Sequence, residues 1–263
     1  MLALDWTALA FAAAVLFSAL TLMWLLSVRI HNVSIVDIAW APAFTLFNGS
    51  YAWRHWQHEV AVPLRAYLVL AVLMLWGLRL GSHLAVRLIG HAEDARYTAI
   101  RRNNDPGFWW KSLGIVFWFQ GALVCVVSLV TLAAIGAVTE TGWLTWVGVA
   151  VATMGVLIEG VADVQLTRWK RLPESAGQVM RSGLWRYSRH PNYFGNFVLW
   201  WGLGLTALDV AAWLSLIGPA VMSVLLLRVS GVALLEKNIG ERRPKYADYI
   251  RTTPAFFPWW PRN

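Results

Sequence analysis

Seven stretches of this chain are apolar for long enough to cross a bilayer, which leaves it few ways to fold. They are Leu9–Leu26, Ile35–Ala52, Val62–Leu80, Leu113–Val138, Leu144–Val164, Tyr193–Leu208 and Ala211–Leu235. A backbone in hydrocarbon must satisfy its own N–H and C=O groups, so runs of this length form helices. The sixth run is short and is expected to be tilted, broken or partly buried in protein. Composition agrees: 58% of the 263 residues are apolar and 14% charged, against about 45–50% and about 25% in soluble domains. The 18 tryptophans suit the membrane interfaces, where an apolar ring bearing one N–H is at home. Disorder, collagen, a coiled coil and a disulfide scaffold are excluded by the same numbers. The single cysteine, Cys125, lies in an apolar run and builds neither a disulfide nor a thiolate metal site. The start lacks a basic n-region, so the first run reads as a retained helix. The expected fold class is all-α: a polytopic membrane protein forming one seven-helix domain over residues 1–263, without internal repeats.

Charge orients this bundle. The net charge of +8 would point to nucleic acid in a soluble protein. Here it reads as positive-inside charge plus an anionic ligand site, with the bilayer and not nucleic acid as partner; no obligate protein partner is evident. With the N-terminus outside, the 22 Lys and Arg residues all fall in inner segments except Arg54, Arg65, Arg79 and Arg228. That asymmetry predicts an odd number of helices and a cytoplasmic C-terminus. Two inner segments, Ser82 to Ser112 and Gln165 to Asn192, are long and adjoin Trp-rich helices, as walls of a ligand site do.

Ionisable side chains inside spans cost about 2.5–3.5 kcal/mol or more each, so they face a cavity or a partner. Asp37, Arg79, Glu159, Asp163 and Arg228 are such residues, and Glu236 lies just past the last span. Arg79 and His83 share a helix face, as do Glu159 and Asp163, and again Arg228, Val232 and Glu236. The plain alternative is ion pairs stitching the bundle together. Three polar stripes in one membrane half, beside the most basic loops, fit better with a cytoplasm-facing cavity for an anionic ligand. Arg suits phosphate because its planar fork bonds two oxygens at once. A carboxylate such as Asp163 suits ribose hydroxyls or an amide NH₂. No Gly-rich dinucleotide loop, Walker A loop or HExxH motif occurs. Any nucleotide must therefore be held by side chains from helices and loops, and no metal site is expected.

The densest polar and aromatic segment is Ser182-Gly183-Leu184-Trp185-Arg186-Tyr187-Ser188-Arg189-His190-Pro191-Asn192-Tyr193-Phe194-Gly195-Asn196. Pro191 biases His190 away from helix and is itself well placed at a helix start. Asn192 to Asn196 then forms the first turn of the sixth span, with free N–H groups that suit phosphate. This segment closely resembles the signature of the bacterial steroid 5-alpha-reductase-like membrane family. So do Trp76-Gly77-Leu78-Arg79-Leu80, Glu93-Asp94-Ala95-Arg96-Tyr97, Leu227-Arg228-Val229-Ser230-Gly231 and Arg243-Pro244-Lys245-Tyr246-Ala247-Asp248-Tyr249. The resemblance runs from about Ser34 to Pro258. An Arg-His-Pro-x-Tyr element alone is less specific, since isoprenylcysteine methyltransferases and sterol reductases carry a similar one.

The family includes eukaryotic 3-oxo-5-alpha-steroid 4-dehydrogenases, seven-helix proteins that bind NADPH from the cytoplasmic side. The resemblance therefore implies NADPH, an enone lipid such as a 3-oxo-Δ4 steroid as substrate, and a bacterial inner-membrane location. It implies a cofactor site mainly within residues 76–111 and 159–251. Asp163, Arg168 and Lys170 form one side, Arg181, Tyr187, His190, Asn192 and Asn196 the centre, and Arg79, His83, Asp94, Arg96, Tyr97, Arg228 and Glu236 the closure. Where the eukaryotic members carry a Gln-Glu pair facing the steroid carbonyl, this chain has Ser34-Ile35-Val36-Asp37-Ile38-Ala39-Trp40, with one acid and no Gln. Trp76 stands near where those members carry a Tyr. Asp37, inside the second span and away from the basic loops, is the expected proton donor: burial there should keep it protonated. Tyr193 is the other candidate catalytic residue. Two further functions compete. An S-adenosylmethionine-dependent methyltransferase of the isoprenylcysteine methyltransferase-like class needs no cluster of Arg for phosphate. A lipid-binding scaffold needs no Asp37, Arg79 or Arg228 within the bilayer.

Overall fold

The computed structural model describes residues 4–57, 61–211, 213–229 and 246–261; Glu236 and Arg243-Pro244-Lys245 lie outside them. All regular structure among the described residues is helical. The helices are α1 (Trp6–Ile30), α2 (Val36–Trp56), α3 (Leu64–Leu88), α4 (Ala95–Asn104), α5 (Phe108–Val127), α6 (Leu129–Ile135), α7 (Trp143–Lys170), α8 (Pro191–Ala211), α9 (Leu214–Val224) and α10 (Tyr246–Thr252). Five of them, α1, α3, α5, α7 and α8, are long and apolar enough to cross a membrane, so this is a multi-pass membrane protein. α2 has 21 residues, enough to span, but Asp37, Asn48 and Arg54 dilute its apolar character. α9 runs on through a wider-wound π turn, Leu225–Val229, where the described stretch ends.

Two expected spans differ in outline. Leu113–Val138 is not one helix. Residues Leu113–Trp118 form a π turn inside α5, and Ser128 separates α5 from α6. The break is held from another helix: Asn48 Nδ2 donates to Ser128 Oγ at 3.0 Å and Thr131 Oγ1 donates to Asn48 Oδ1 at 2.7 Å. The sixth span is not short. It runs 21 residues from Pro191, whose missing N–H costs nothing at a first helical position.

The chain groups into two compact units. The first comprises Met1–Gly142 with Ala207–Ser215, the second Trp143–Thr206 with Leu216–Asn263. In the first, α2 packs between α1 and α3 around Phe44, Phe47, Tyr51 and Trp76, all fully buried. Asp5 caps α1, accepting from the N–H groups of Thr7 and Ala8 at 2.9 and 3.0 Å. Arg65, at the start of α3, is 0% exposed. Its guanidinium donates to Asp209 Oδ2 at 2.7 Å, Thr139 Oγ1 at 3.1 Å and the Glu140 carbonyl at 3.3 Å. A buried charge is tolerable only with such a set of acceptors.

The second unit is built on a close antiparallel crossing of α7 and α8. A Cβ placed on Gly148 would lie 2.7 Å from the Gly202 carbonyl oxygen; on Gly155, 2.3 Å from the Leu199 nitrogen; on Gly195, 2.4 Å from the Glu159 nitrogen. The glycines recur at seven-residue spacing on both helices, and they let the two backbones touch. Small residues serve this purpose between membrane helices, where lipid is as apolar as leucine and only close packing favours association.

Candidate functional site

That contact decides what faces what at the start of α8. Glu159 and Asp163, one turn apart on α7 and both buried, lie against its first two turns. Asn192 Nδ2 donates to Asp163 Oδ1 at 3.2 Å, and Asn196 Nδ2 donates to Glu159 Oε1 at 3.4 Å. Asn196 is 5% exposed, and its Oδ1 has no hydrogen-bond partner among the described residues. The carboxylate fixes the amide's orientation, because turning it over would set two oxygens against each other. The carbonyl oxygen of Asn196 is therefore a buried acceptor in want of a donor. Beside it, the rings of His190 and Tyr193 stack, 5.7 Å between centres and 8° from parallel. His190 is buried and Tyr193 half-buried.

The loop that enters α8 is pinned from two sides. Gln165 Oε1 accepts the Leu184 N–H at 3.0 Å, and Trp185 Nε1 donates to the Ala162 carbonyl at 3.0 Å. Gly183 has a φ of 59°, and a side chain there would meet Gln165 at 2.6 Å. From the other side comes the C-terminal segment. The Tyr249 hydroxyl donates to the Trp185 carbonyl, Ser188 Oγ donates to the Phe256 carbonyl at 2.8 Å, and the Trp259 N–H donates to the Tyr187 carbonyl at 2.9 Å. Phe194 and Phe197 of α8 pack edge-on against Phe256 and Phe257.

The basic residues expected to meet phosphate are on the surface of this unit. Arg168 and Lys170 are exposed in the last turn of α7, and Arg228 is exposed on the π turn after α9. Arg181 is exposed, its guanidinium carbon 5.6 Å from the centre of the Tyr249 ring. Tyr187 is half-buried, edge-on to Trp260 at 5.3 Å. The expected set thus divides. Asp163, His190, Asn192 and Asn196 gather at the start of α8, with Tyr193; Arg168, Lys170, Arg181 and Arg228 stand in solvent-facing positions of the same unit; Glu236 lies outside the described residues.

The remaining expected residues belong to the first unit. Asp37, in the first turn of α2, does not stand away from the basic loops: the segment before α5 folds back onto it. Arg96 Nη2 donates to Asp37 Oδ2 at 2.8 Å, and the Tyr97 hydroxyl donates to Asp37 Oδ1 at 2.5 Å. Gln120 Nε2 reaches the Tyr97 oxygen at 3.3 Å. Both Asp37 oxygens accept, so the proton in this arrangement sits on Tyr97. Burial, and then the Asp37 charge, push the Tyr97 phenol well above its ordinary value. Asp94 caps α4 and also accepts from Arg96 Nε at 2.9 Å. Burial alone would raise Asp94, but the Arg96 bonds outweigh it and hold the carboxyl below the usual range. Burial likewise opposes charge on Arg96, yet Asp94 and Asp37 keep it firmly protonated. Glu93 pairs with Arg101 at 2.7 Å, which lowers it against the opposing effect of burial. Arg79 and His83 are half-buried on α3. Gln120, Ser34, Glu93 and Arg101 join this network without having been singled out. Gln120 carried a visible signal as an amide within an apolar run, and Glu93 as part of the motif that runs to Tyr97.

A family model described as "Protein of unknown function (DUF1295)" matches residues 23–253. The chain belongs to the DUF1295 family. That match includes both the Asp37–Tyr97 network and the start of α8. The nickel-cobalt-cadmium resistance protein NccN of Alcaligenes xylosoxydans xylosoxydans is 36% identical over 140 residues, which are 51% of this chain and 61% of that protein. The chain thus covers under two thirds of that relative's length. No solved structure matches. Among the described residues, no three or more His, Cys, Asp or Glu side chains gather as metal ligands do.

Proposed function

We propose that this DUF1295 protein is a membrane oxidoreductase that uses NADPH to reduce the C4–C5 double bond of a 3-oxo-Δ4 steroid or a similar enone lipid. The observation that carries this reading is the buried Asn196 Oδ1 at the start of α8, beside Asp163–Asn192. A carboxamide or adenine NH₂ supplies the donor that Asn196 wants, and Asp163 offers the acceptor that a ribose hydroxyl wants. Arg168, Lys170 and Arg181 are exposed on the same unit and supply the positive charge that phosphates need. A methyl donor such as S-adenosylmethionine carries no phosphate and leaves those three without a task. NADPH, when bound, supplies a hydride.

The chain must then stabilise negative charge on the substrate carbonyl and supply a proton. A pre-aimed donor in a dry site does the first. Asp37 and Tyr97 form a relay for the second. Arg96 holds Asp37 as an acceptor; Tyr97 gives up its hydroxyl proton, and Asp37 replaces it with one taken from water. Tyr193, stacked on His190, is the other hydroxyl that fits the role.

Calorimetric titration of the detergent-purified protein tests the reading. NADPH binds, Asn192→Ala and Arg181→Ala weaken it, and adenosylmethionine does not compete. Asp37→Ala retains NADPH and fold but loses turnover of a 3-oxo-Δ4 enone by about 10²–10⁴-fold, as loss of a general acid–base group does. Binding of adenosylmethionine with indifference to NADPH overturns the proposal.

A further inference from the structure

An arginine beside His190 and Asn192 invites assignment to an anionic ligand, but its surroundings point elsewhere. Arg189 is 7% exposed. Its Nη1 donates to the Ile250 carbonyl at 3.1 Å and the Thr253 carbonyl at 2.5 Å, and its backbone N–H donates to the Pro254 carbonyl at 2.9 Å. These carbonyls cluster at the C-terminal end of α10, where the last C=O groups have no intrahelical partner and a cation is favoured. We infer that Arg189 is a positioning residue: it fastens residues 246–261 across the loop as a strap that sets where His190 and Asn192 stand.

Neither partner is ordered by its own backbone. α10 has seven residues, too few to hold as an isolated helix, and the loop from Gly183 contains one short 3₁₀ turn. Each supplies what the other lacks. Trp185, Tyr187, Ser188 and Arg189 all bond the tail, through Tyr249, Trp259, Phe256 and the carbonyls above. Ser188 links the strap directly to the site. Its Oγ donates to the tail and accepts the His190 N–H at 3.1 Å, one residue before α8 begins. A displacement of the loop by an ångström breaks the 3.2 Å bond from Asn192 to Asp163. The strap itself is argued from these bonds; only its effect on NADPH rests on the function proposed above.

Hydrogen exchange on the full chain in detergent tests this directly. Arg189→Ala accelerates amide exchange in residues 183–196 and 246–257 together, by about ten- to a hundredfold, the loss expected when charge-assisted bonds are removed from a locally opening segment. Exchange in α1 to α3 is unchanged, and Arg186→Ala, at an exposed neighbour, changes neither segment. Arg189→Lys, whose ammonium lacks the planar fork, gives an intermediate rate. Guanidinium ion at sub-denaturing concentration restores protection to Arg189→Ala. If that variant does not fold, the double variant Ser188→Ala with Tyr249→Phe removes the other ties and loosens the same two segments. Wild-type protection of both segments in the folded variant overturns the inference. In a protein that binds NADPH, Arg189→Ala raises its KM with little change in kcat. A wild-type protein indifferent to NADPH sinks the reductase reading, while the exchange rates still decide the strap.

Discussion

The two units hold their polar groups in different ways. In the first, carboxylates meet guanidinium groups: Asp37 and Asp94 with Arg96, Glu93 with Arg101, Asp209 with Arg65. In the second, Glu159 and Asp163 meet the amides of Asn196 and Asn192, and the unit's cohesion comes from two backbones in contact through glycine. A guanidinium on a carboxylate uses up donors and acceptors on both sides. An amide on a carboxylate uses its NH₂ and leaves its carbonyl, which is how the unpartnered Asn196 Oδ1 arises. Charge closes these networks of the first unit, whereas close packing in the second holds Asn196 in place with its carbonyl unused. That spare capacity is why the ligand reading rests on the second unit.

The contrast can be broken at either end. Arg65→Met leaves Asp209 without its buried partner and should cost about 3–5 kcal/mol, read as a large fall in melting temperature in detergent; a near-wild-type melt would show that this ion pair does not hold the first unit together. Gly195→Ala puts a methyl 2.4 Å from the Glu159 nitrogen. Overpacking of that kind costs about 1–3 kcal/mol and should carry away ligand binding at Asn196 as well. Gly114→Ala, with nothing within 4 Å of the new Cβ, is the neutral control. Arg96→Gln, at a 38% exposed side chain, should cost about 1 kcal/mol, and a full-length melt with little change in second-unit exchange would confirm that the loss is local.

Acid gives the smallest effect. Glu93 and Asp94 have folded-state carboxyls below their ordinary values. Their contribution to stability is complete above the ordinary carboxylate value of about 4 and disappears as pH falls through the depressed folded values. Melting curves from pH 6 downward should stay flat to about pH 4 and then drop. Arg101→Gln together with Arg96→Gln should flatten that drop. An unaltered acid limb would show that the two carboxylates do not set it.

What could be read in advance follows from the range of each interaction. Five membrane helices were legible because hydrocarbon demands some twenty apolar residues in a row, a purely local condition. The Glu159–Asp163 stripe was legible because a four-residue spacing defines a helix face. Its partners sit at the same spacing, Asn192 and Asn196. Their matching depends on Gly148, Gly155, Gly195 and Gly202, a heptad pattern present in the sequence but silent about which helix it serves. The break at Ser128 was not legible, since its hydrogen bond comes from Asn48, 80 residues away. Nor was the setting of Asp37: its place in an apolar run was evident, while Arg96 and Tyr97 lie 59 and 60 residues downstream. The tail's bonds to the loop are mostly to backbone carbonyls, which every sequence offers alike.

Arg65 and Asp209 are 144 residues apart in the chain. A ribosome adding about 5–20 residues per second therefore makes the acid roughly seven to thirty seconds after the base. In that interval all of α7 and nearly all of α8 emerge, while the guanidinium at the start of α3 can have Thr139 and the Glu140 carbonyl but not its carboxylate. The first unit is thus started first and finished late: its closing piece, Ala207–Ser215, arrives only after the main helices of the second have been made. A gene cut after Gly142 yields a fragment that lacks part of its own interior, so the two units are inseparable in synthesis although each is compact.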